Sequence, residues 1–200
     1  MLGPFDNMVK EISDFSLVID IMAPADRADI QRIADARLGP GYLPLSALLN
    51  KEQVTFSAWM GRRVVGFLCA SLWTLQDFRK HVPLLASLPE IQTLLTNPIG
   101  MLHVTAVDKS YEKQGIGTAL IAHAIDTLFS HDRPLTVTTT AWSDNQGVHV
   151  GGPLHCNGFR KIGYLADYWR EDSLARGYEC PTCGKPPCHC TASIFVRTLT

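Results

Sequence analysis

The sequence has no excess of charge of either sign. Its 200 residues carry 18 Lys+Arg against 19 Asp+Glu, a formal net charge of −1. That leaves no electrostatic footprint for a general nucleic-acid or anionic-membrane binder, although a locally arranged phosphate site stays open. It also lacks a long apolar run. The longest charge-free stretch, residues 91–107, is broken by Asn97-Pro98 and Gly100 and falls short of the ~20 apolar residues a bilayer requires. Asp6, Glu11, Asp14 and Asp20 interrupt any signal-peptide apolar core at the start. There is no internal repeat and no low-complexity tract. A distributed cysteine framework is missing as well, because four of the six cysteines crowd together at Cys180, Cys183, Cys188 and Cys190. These absences lead us to expect a soluble, cytoplasmic chain with no nucleic-acid or membrane partner.

What is present is a globular composition, 46% hydrophobic and 18% charged, in a length that suits one domain with additions. Residues 1–14 show no sustained period and read as a flexible arm, with the folded domain over 15–200. Residues 16–22 read as a strand. Ala23-Pro24 stops it, and Asp26 stands where an N-cap belongs before a helix over 27–38. Residues 54–60 and 64–73 form a hairpin around Gly61-Arg62-Arg63. Residues 74–100 carry apolar residues at helical spacing between Pro83, Pro89 and Pro98, an insertion read as one or two short helices forming a cap. A buried strand over 101–107, a helix over 115–129 and a Thr-rich strand over 135–142 follow. A short helix is expected between Asn145 and Asn157-Gly158, then strands over 159–169 and 192–199, with the cysteine-rich tip (178–191) between them. Strand, crossover helix and strand imply a mixed sheet of α/β or α+β class.

The most informative segment is residues 104–120, VTAVDKSYEKQGIGTAL. A strand ends at Val107, a polar turn follows, and a helix opens around Gly115-Ile116-Gly117. Two glycines in a helix's first turn cost about 0.5–1 kcal/mol each relative to alanine. Bare backbone N–H groups at a helix N-terminus offset that by gripping a phosphate, while close helix–sheet packing is the alternative. The dinucleotide fingerprint is excluded by the missing third glycine, and the P-loop pattern is absent.

Ala106-Val107, Tyr111 and the run Lys113-Gln114-Gly115-Ile116-Gly117 resemble motif A of the GNAT superfamily of acyl-CoA-dependent N-acyltransferases. The order of elements over 16–170 plus the final strand is similar to that family, as are Val65-Gly66-Phe67 and Gly158-Phe159. One departure is Glu112, at the position the family usually fills with Arg or Gln. Another is Leu154, where the family carries a tyrosine that protonates the leaving thiolate.

The resemblance implies a single GNAT-like domain, a mixed central β-sheet flanked by helices with a cysteine-rich insertion between the last two strands. It implies an enzyme that moves an acetyl group from acetyl-CoA directly to a primary amine of a small molecule or peptide. Thr105, Val107, Lys113, Gln114, Gly115, Ile116, Gly117, Thr118 and Asn145 would hold the cosubstrate. A strand bulge near Thr105 would offer N–H groups to the thioester oxygen.

Such a transfer needs a neutral amine, so a proton acceptor helps. His103 is the candidate base, its unperturbed pKa of ~6.5 suiting the task; a core histidine bonded to backbone is the other reading. His155, with Cys156 beside it, is the candidate acid. Trp142-Ser143-Asp144 either borders the acceptor site or packs in the core.

Cys180-Pro-Thr-Cys183-Gly resembles a zinc-ribbon knuckle, whereas Cys188-His189-Cys190 departs from a second Cys-x-x-Cys. Four thiols within eleven residues can supply a tetrahedral structural Zn²⁺ site; disulfides are the alternative. A non-catalytic acyl-CoA-binding module that docks a partner through a zinc-stabilised tip is the rival function. A homodimer through a free edge of the last strand is a further expectation.

Overall fold

The computed structural model describes residues 16–129, 135–145 and 147–200. The expected arm at 1–14 lies outside them. In chain order the described elements are β1 (Leu17–Ile21), α1 (Arg27–Leu38), β2 (Val54–Met60), β3 (Arg63–Trp73), three short helices α2 (Leu75–His81), α3 (Pro83–Ala86) and α4 (Pro89–Gln92), β4 (Ile99–Val107) and α5 (Ile116–Leu128). Then come β5 (Leu135–Asp144), β6 (Gly147–Val148), α6 (Gly151–Cys156), β7 (Arg160–Leu165), α7 (Arg170–Arg176) and β8 (Thr191–Leu199). The strands form one sheet in the order β1-β2-β3-β4-β5-β8-β7, with β6 hairpinned onto the end of β5. Among the described residues only β4 and β5 run parallel; the other described pairings are antiparallel.

α5 buries Ile116, Leu120, Ile121, Ala124 and Ile125, the i, i+4, i+5 stripe of a helix lying on a sheet. That stripe packs on Leu68 and Ala70 of β3, Leu102 of β4 and Val137 of β5. The opposite face receives α1 through Ile30, Ile33 and Ala34 against Phe67 and Cys69. It also receives Phe78, Leu85 and Ile91 of the 74–100 segment, against Ile99 and Met101 of β4 and Ile194 and Val196 of β8. That segment therefore braces a sheet face.

β4 changes phase partway. Ala70 pairs with Leu102 and the next residue back, Cys69, pairs with Val104, so His103 is the extra residue of a β-bulge. Were His103 paired like its neighbours, Val104 and Ala106 would share a face with Leu102. With the bulge they turn to the α1 side, and Val107 packs toward α5. The bulge falls two residues upstream of Thr105, the position the sequence suggested.

Three further expectations change. Asp26 makes no cap bond to α1; it accepts Ala23 N at 2.7 Å and Ser57 Oγ at 3.0 Å, tying the preceding turn to β2. The strand expected over 159–169 stops at Leu165, and α7 follows. Its Glu171 and Asp172 near the N-terminus, Arg176 near the C-terminus and Gly177 at φ +71° are ordinary helix signals that lay readable in the sequence. The last strand has no free edge, because β8 sits between β5 and β7.

Candidate active site

β4 and β5 pair only from Ile99↔Thr136 to Leu102↔Thr139. Beyond that rung the two strands part, and the fork opens a cleft of about 610 Å³. His103 to Val107 form one wall, Thr139 to Trp142 the other, and the first turn of α5 and residues of α6 complete it.

Backbone builds the end of the cleft at α5. Asp108 accepts Ser110 N at 3.0 Å, opening a turn in which Lys113 (φ +60°) and Gly115 (φ +80°) both adopt left-handed conformations. Gly115 is the N-cap of α5, and no side chain caps the helix. The N–H groups of Ile116, Gly117 and Thr118 therefore lack intrahelical partners and face an anion position at the positive end of the helix dipole. A Cβ on Gly115 would meet nothing within 4 Å, so its backbone angle, not crowding, requires glycine. Glu112 is paired with Arg37 of α1, and both border the cleft. That pairing answers the departure at Glu112: an arginine 75 residues away balances the carboxylate beside the anion position.

Of the residues expected to hold a cosubstrate, Thr105, Val107, Lys113, Gly115, Ile116, Gly117 and Thr118 line this cleft. Gln114 is exposed outside it. Asn145 is carried by the β5–β6 hairpin to a neighbouring hollow of about 510 Å³, beside the cysteine cluster.

His103 lines the cleft at the fork itself. One ring nitrogen lies 2.9 Å from Ser71 Oγ, and Trp73 meets the ring edge-on with centroids 4.8 Å apart. Burial, with a smaller contribution from His81, pushes its pKa down to about 4, so the imidazole is neutral at physiological pH. His155 is exposed on α6 and packs edge-on against Phe195, away from the cleft that its neighbours Leu154 and Cys156 line. Leu154 is 1% exposed, filling the family's tyrosine position with packing.

Side chains build the other part of the cleft. Tyr42, Trp142, Trp169 and His149 border it, His149 stacked on Trp142 at 4.5 Å and bonded to Asp144 at 3.0 Å. Two loops cross here. Arg176 donates to the carbonyls of Gly41 and Tyr42 and lies over the rings of Tyr42 and Tyr178. Glu179 N bonds Pro40 O at 3.3 Å. A Cβ on Gly39 (φ +100°) would fall 1.7 Å from Glu179 O, so only glycine permits this crossing. Burial raises the Tyr42 phenol to about 12, with the Trp169 indole pulling the other way.

The cysteine tip packs under those aromatics: Cys180, Cys188 and Cys190 cluster with Trp169, and Trp142 and Tyr42 pack against them. All four thiols are unbridged, with their sulfurs within 4.8 Å of one another. Cys190 Sγ lies 3.6 Å from Cys180 Sγ and 3.5 Å from Cys183 Sγ. A tetrahedron of sulfurs about 2.3 Å from a Zn²⁺ ion has edges of about 3.8 Å. Cys183 N and His189 N point at sulfurs at 3.4 and 3.3 Å, as thiolate ligands require. Arg37, Tyr42, His149 and Trp169 were missed from sequence because nothing local marks them; long-range packing alone brings them to the cleft.

Residues 22–149 match the family model described as the acetyltransferase (GNAT) family. No curated protein matches the sequence. Among solved structures, NAA60 of Arabidopsis thaliana bound to a bisubstrate analogue is similar at TM-score 0.64 and 15% identity, covering 92% of this chain and 100% of that one. The same plant protein bound to acetyl-CoA gives 0.59 and 14% over 92% and 99%. Ard1 of Thermoplasma volcanium gives 0.61 and 17% over 92% and 98%. An IAA acetyltransferase of Bacillus cereus gives 0.58 and 19% over 92% and 100%.

Proposed function

The chain belongs to the GNAT acetyltransferase family, and on that premise we propose that it transfers the acetyl group of acetyl-CoA directly to a primary amine of a small molecule or peptide. The observation that carries this reading is the fork between β4 and β5 opening beside an uncapped helix N-terminus. The N–H groups of the α5 first turn would hold the pyrophosphate, with Lys113 supplying positive charge and Arg37 neutralising Glu112 beside it. The parted strands would receive the pantetheine arm, and the bulge in β4 would offer backbone N–H groups to the thioester oxygen as it gains charge. A cosubstrate complex of a structural neighbour, with acetyl-CoA, supports the choice of donor.

His103 acts as the proton acceptor in this scheme. Held near 4, it is too weak a base to strip a free ammonium ion. It takes the proton only after the C–N bond has formed, when the adduct nitrogen has become acidic. The amine must therefore arrive neutral, and the amine's own pKa sets the acid limb of the rate profile. We assign no acid role to His155, which packs on Phe195. The four cysteines would hold a structural Zn²⁺ ion that braces the tip and supplies no chemistry, since four thiolates would complete its coordination.

Calorimetric titration with acetyl-CoA, against CoA and ATP, tests the site. Micromolar binding that requires the pantetheine arm is the expected result, followed by CoA release in an amine panel. Binding without release from any amine would point back to a non-catalytic module. Metal analysis of purified protein is expected to return one zinc per chain, and freely titrating thiols without metal would refute the zinc assignment.

A further inference from the structure

Where the loops cross, a second, smaller hole of about 40 Å³ adjoins the cleft, walled by Leu38, Tyr42, Trp142, Trp169 and Tyr178 and floored by Cys180 and Cys188. Leu38, Tyr42, Trp142 and Trp169 line both spaces, so these four side chains are all that stands between them. One water-sized sphere occupies roughly 10–15 Å³ on this measure, which gives room for about three heavy atoms.

We infer that this hole receives a compact apolar group carried by the acceptor, close to its reacting amine, so that the enzyme prefers monoamines bearing a short alkyl side chain. The inference rests on the acetyl-transfer reading above and names its substrate class. Three observations carry it. Apart from the Cys180 and Cys188 sulfurs the walls are aliphatic and aromatic, so a short alkyl group is covered there by carbon on most sides. Glu112 is the one carboxylate among the described residues lining the cleft, and Arg37 occupies it, so no free carboxylate of the cleft waits for a second ammonium of a polyamine. The third is the latch of Arg176 on the Gly41 and Tyr42 carbonyls and of Glu179 on Pro40. It joins the two loops beside the hole and fixes its walls, so its small volume limits it to a short group.

The test is a steady-state series of primary amines of nearly equal basicity, methylamine to hexylamine with isobutylamine, against saturating acetyl-CoA. Putrescine is the dicationic control, and acetyl-CoA affinity is measured separately by calorimetry. The expected kcat/KM climbs about tenfold per added methylene until three carbons, then levels or falls, with putrescine no better than methylamine. Leu38→Phe fills the hole and should flatten the climb while acetyl-CoA affinity stays within twofold. A flat wild-type series, or a preference for putrescine, overturns the inference. So does a Leu38→Phe effect confined to the choice between acetyl-CoA and butyryl-CoA, which would assign the hole to the acyl group. If no amine in the panel turns over, tryptophan fluorescence with CoA bound decides: a response to isobutylamine but not putrescine upholds the inference, and equal responses defeat it. Failure of acetyl-CoA to bind sinks the transfer reading and this inference together. Normal acetyl-CoA binding with the opposite amine preference sinks this inference alone.

Discussion

The two parts of the cleft are made by different means. The anion end is backbone: two left-handed residues, an uncapped helix terminus and a bulged strand, all within residues 103–118. The aromatic end is side chain: Tyr42, Trp142, Trp169 and Tyr178 from four separate stretches, pinned by a loop crossing and four cysteines. A backbone site tolerates changes in side chain but not in backbone angle. A side-chain site depends on whatever holds its distant segments together.

The sharpest way to break that contrast is to loosen the tip. Cys183→Ser removes one of four clustered sulfurs, and with zinc bound we expect a loss of about 3 kcal/mol or more. That corresponds to a Tm roughly 10 °C lower by calorimetry. The acceptor KM should rise while acetyl-CoA affinity hardly moves; an equal loss at both ends would show that the cleft is one unit.

His103 stands at the join and gives the next largest effect. Its pKa falls from 6.5 unfolded to about 4 folded, so the unfolded chain binds the extra proton as pH drops through that window. The native state should thus lose up to about 3 kcal/mol between pH 6.5 and 4. His103→Gln should lose correspondingly less across that window in urea titrations, whatever its stability at pH 7.

Gly115→Ala strains a residue at φ +80° by about 1–2 kcal/mol. It should weaken acetyl-CoA about tenfold in calorimetry and leave amine selectivity intact. The smallest effect concerns the half-exposed Arg37–Glu112 pair. A double-mutant cycle should return a coupling of about 0.2–1 kcal/mol, shrinking in high salt. Arg37→Ala alone should weaken acetyl-CoA more than Arg37→Ala combined with Glu112→Gln, because only the single variant leaves a bare carboxylate by the phosphates.

The same contrast explains what could be read beforehand. The α1 boundaries and the β2–β3 hairpin followed from local pattern, and the phosphate turn announced itself through Gly115 and Gly117. Each is a constraint acting within a few residues. Arg37 facing Glu112, or Tyr42 facing Trp169, depends on how segments far apart in the chain are folded together, and no spacing rule carries that. The tip lies between: its cysteines are adjacent in sequence, but only the fold shows them lying beneath aromatics of the cleft. His103 was found for its chemistry, yet its role as the extra residue of the bulge is invisible without the β3 register.

That extra residue separates the length of β4 from its content. Replacing His103 keeps the count, so Val104 and Ala106 still face α1 and the fork still opens where it does. Deleting it would set Leu102 and Val104 side by side opposite Ala70 and Cys69, a regular ladder that removes the bulge and keeps the faces of the following four residues. Sequences that share this cleft can therefore spell position 103 differently and keep its shape, whereas a strand one residue shorter there would lose the bulge while every remaining side chain of β4 kept its face.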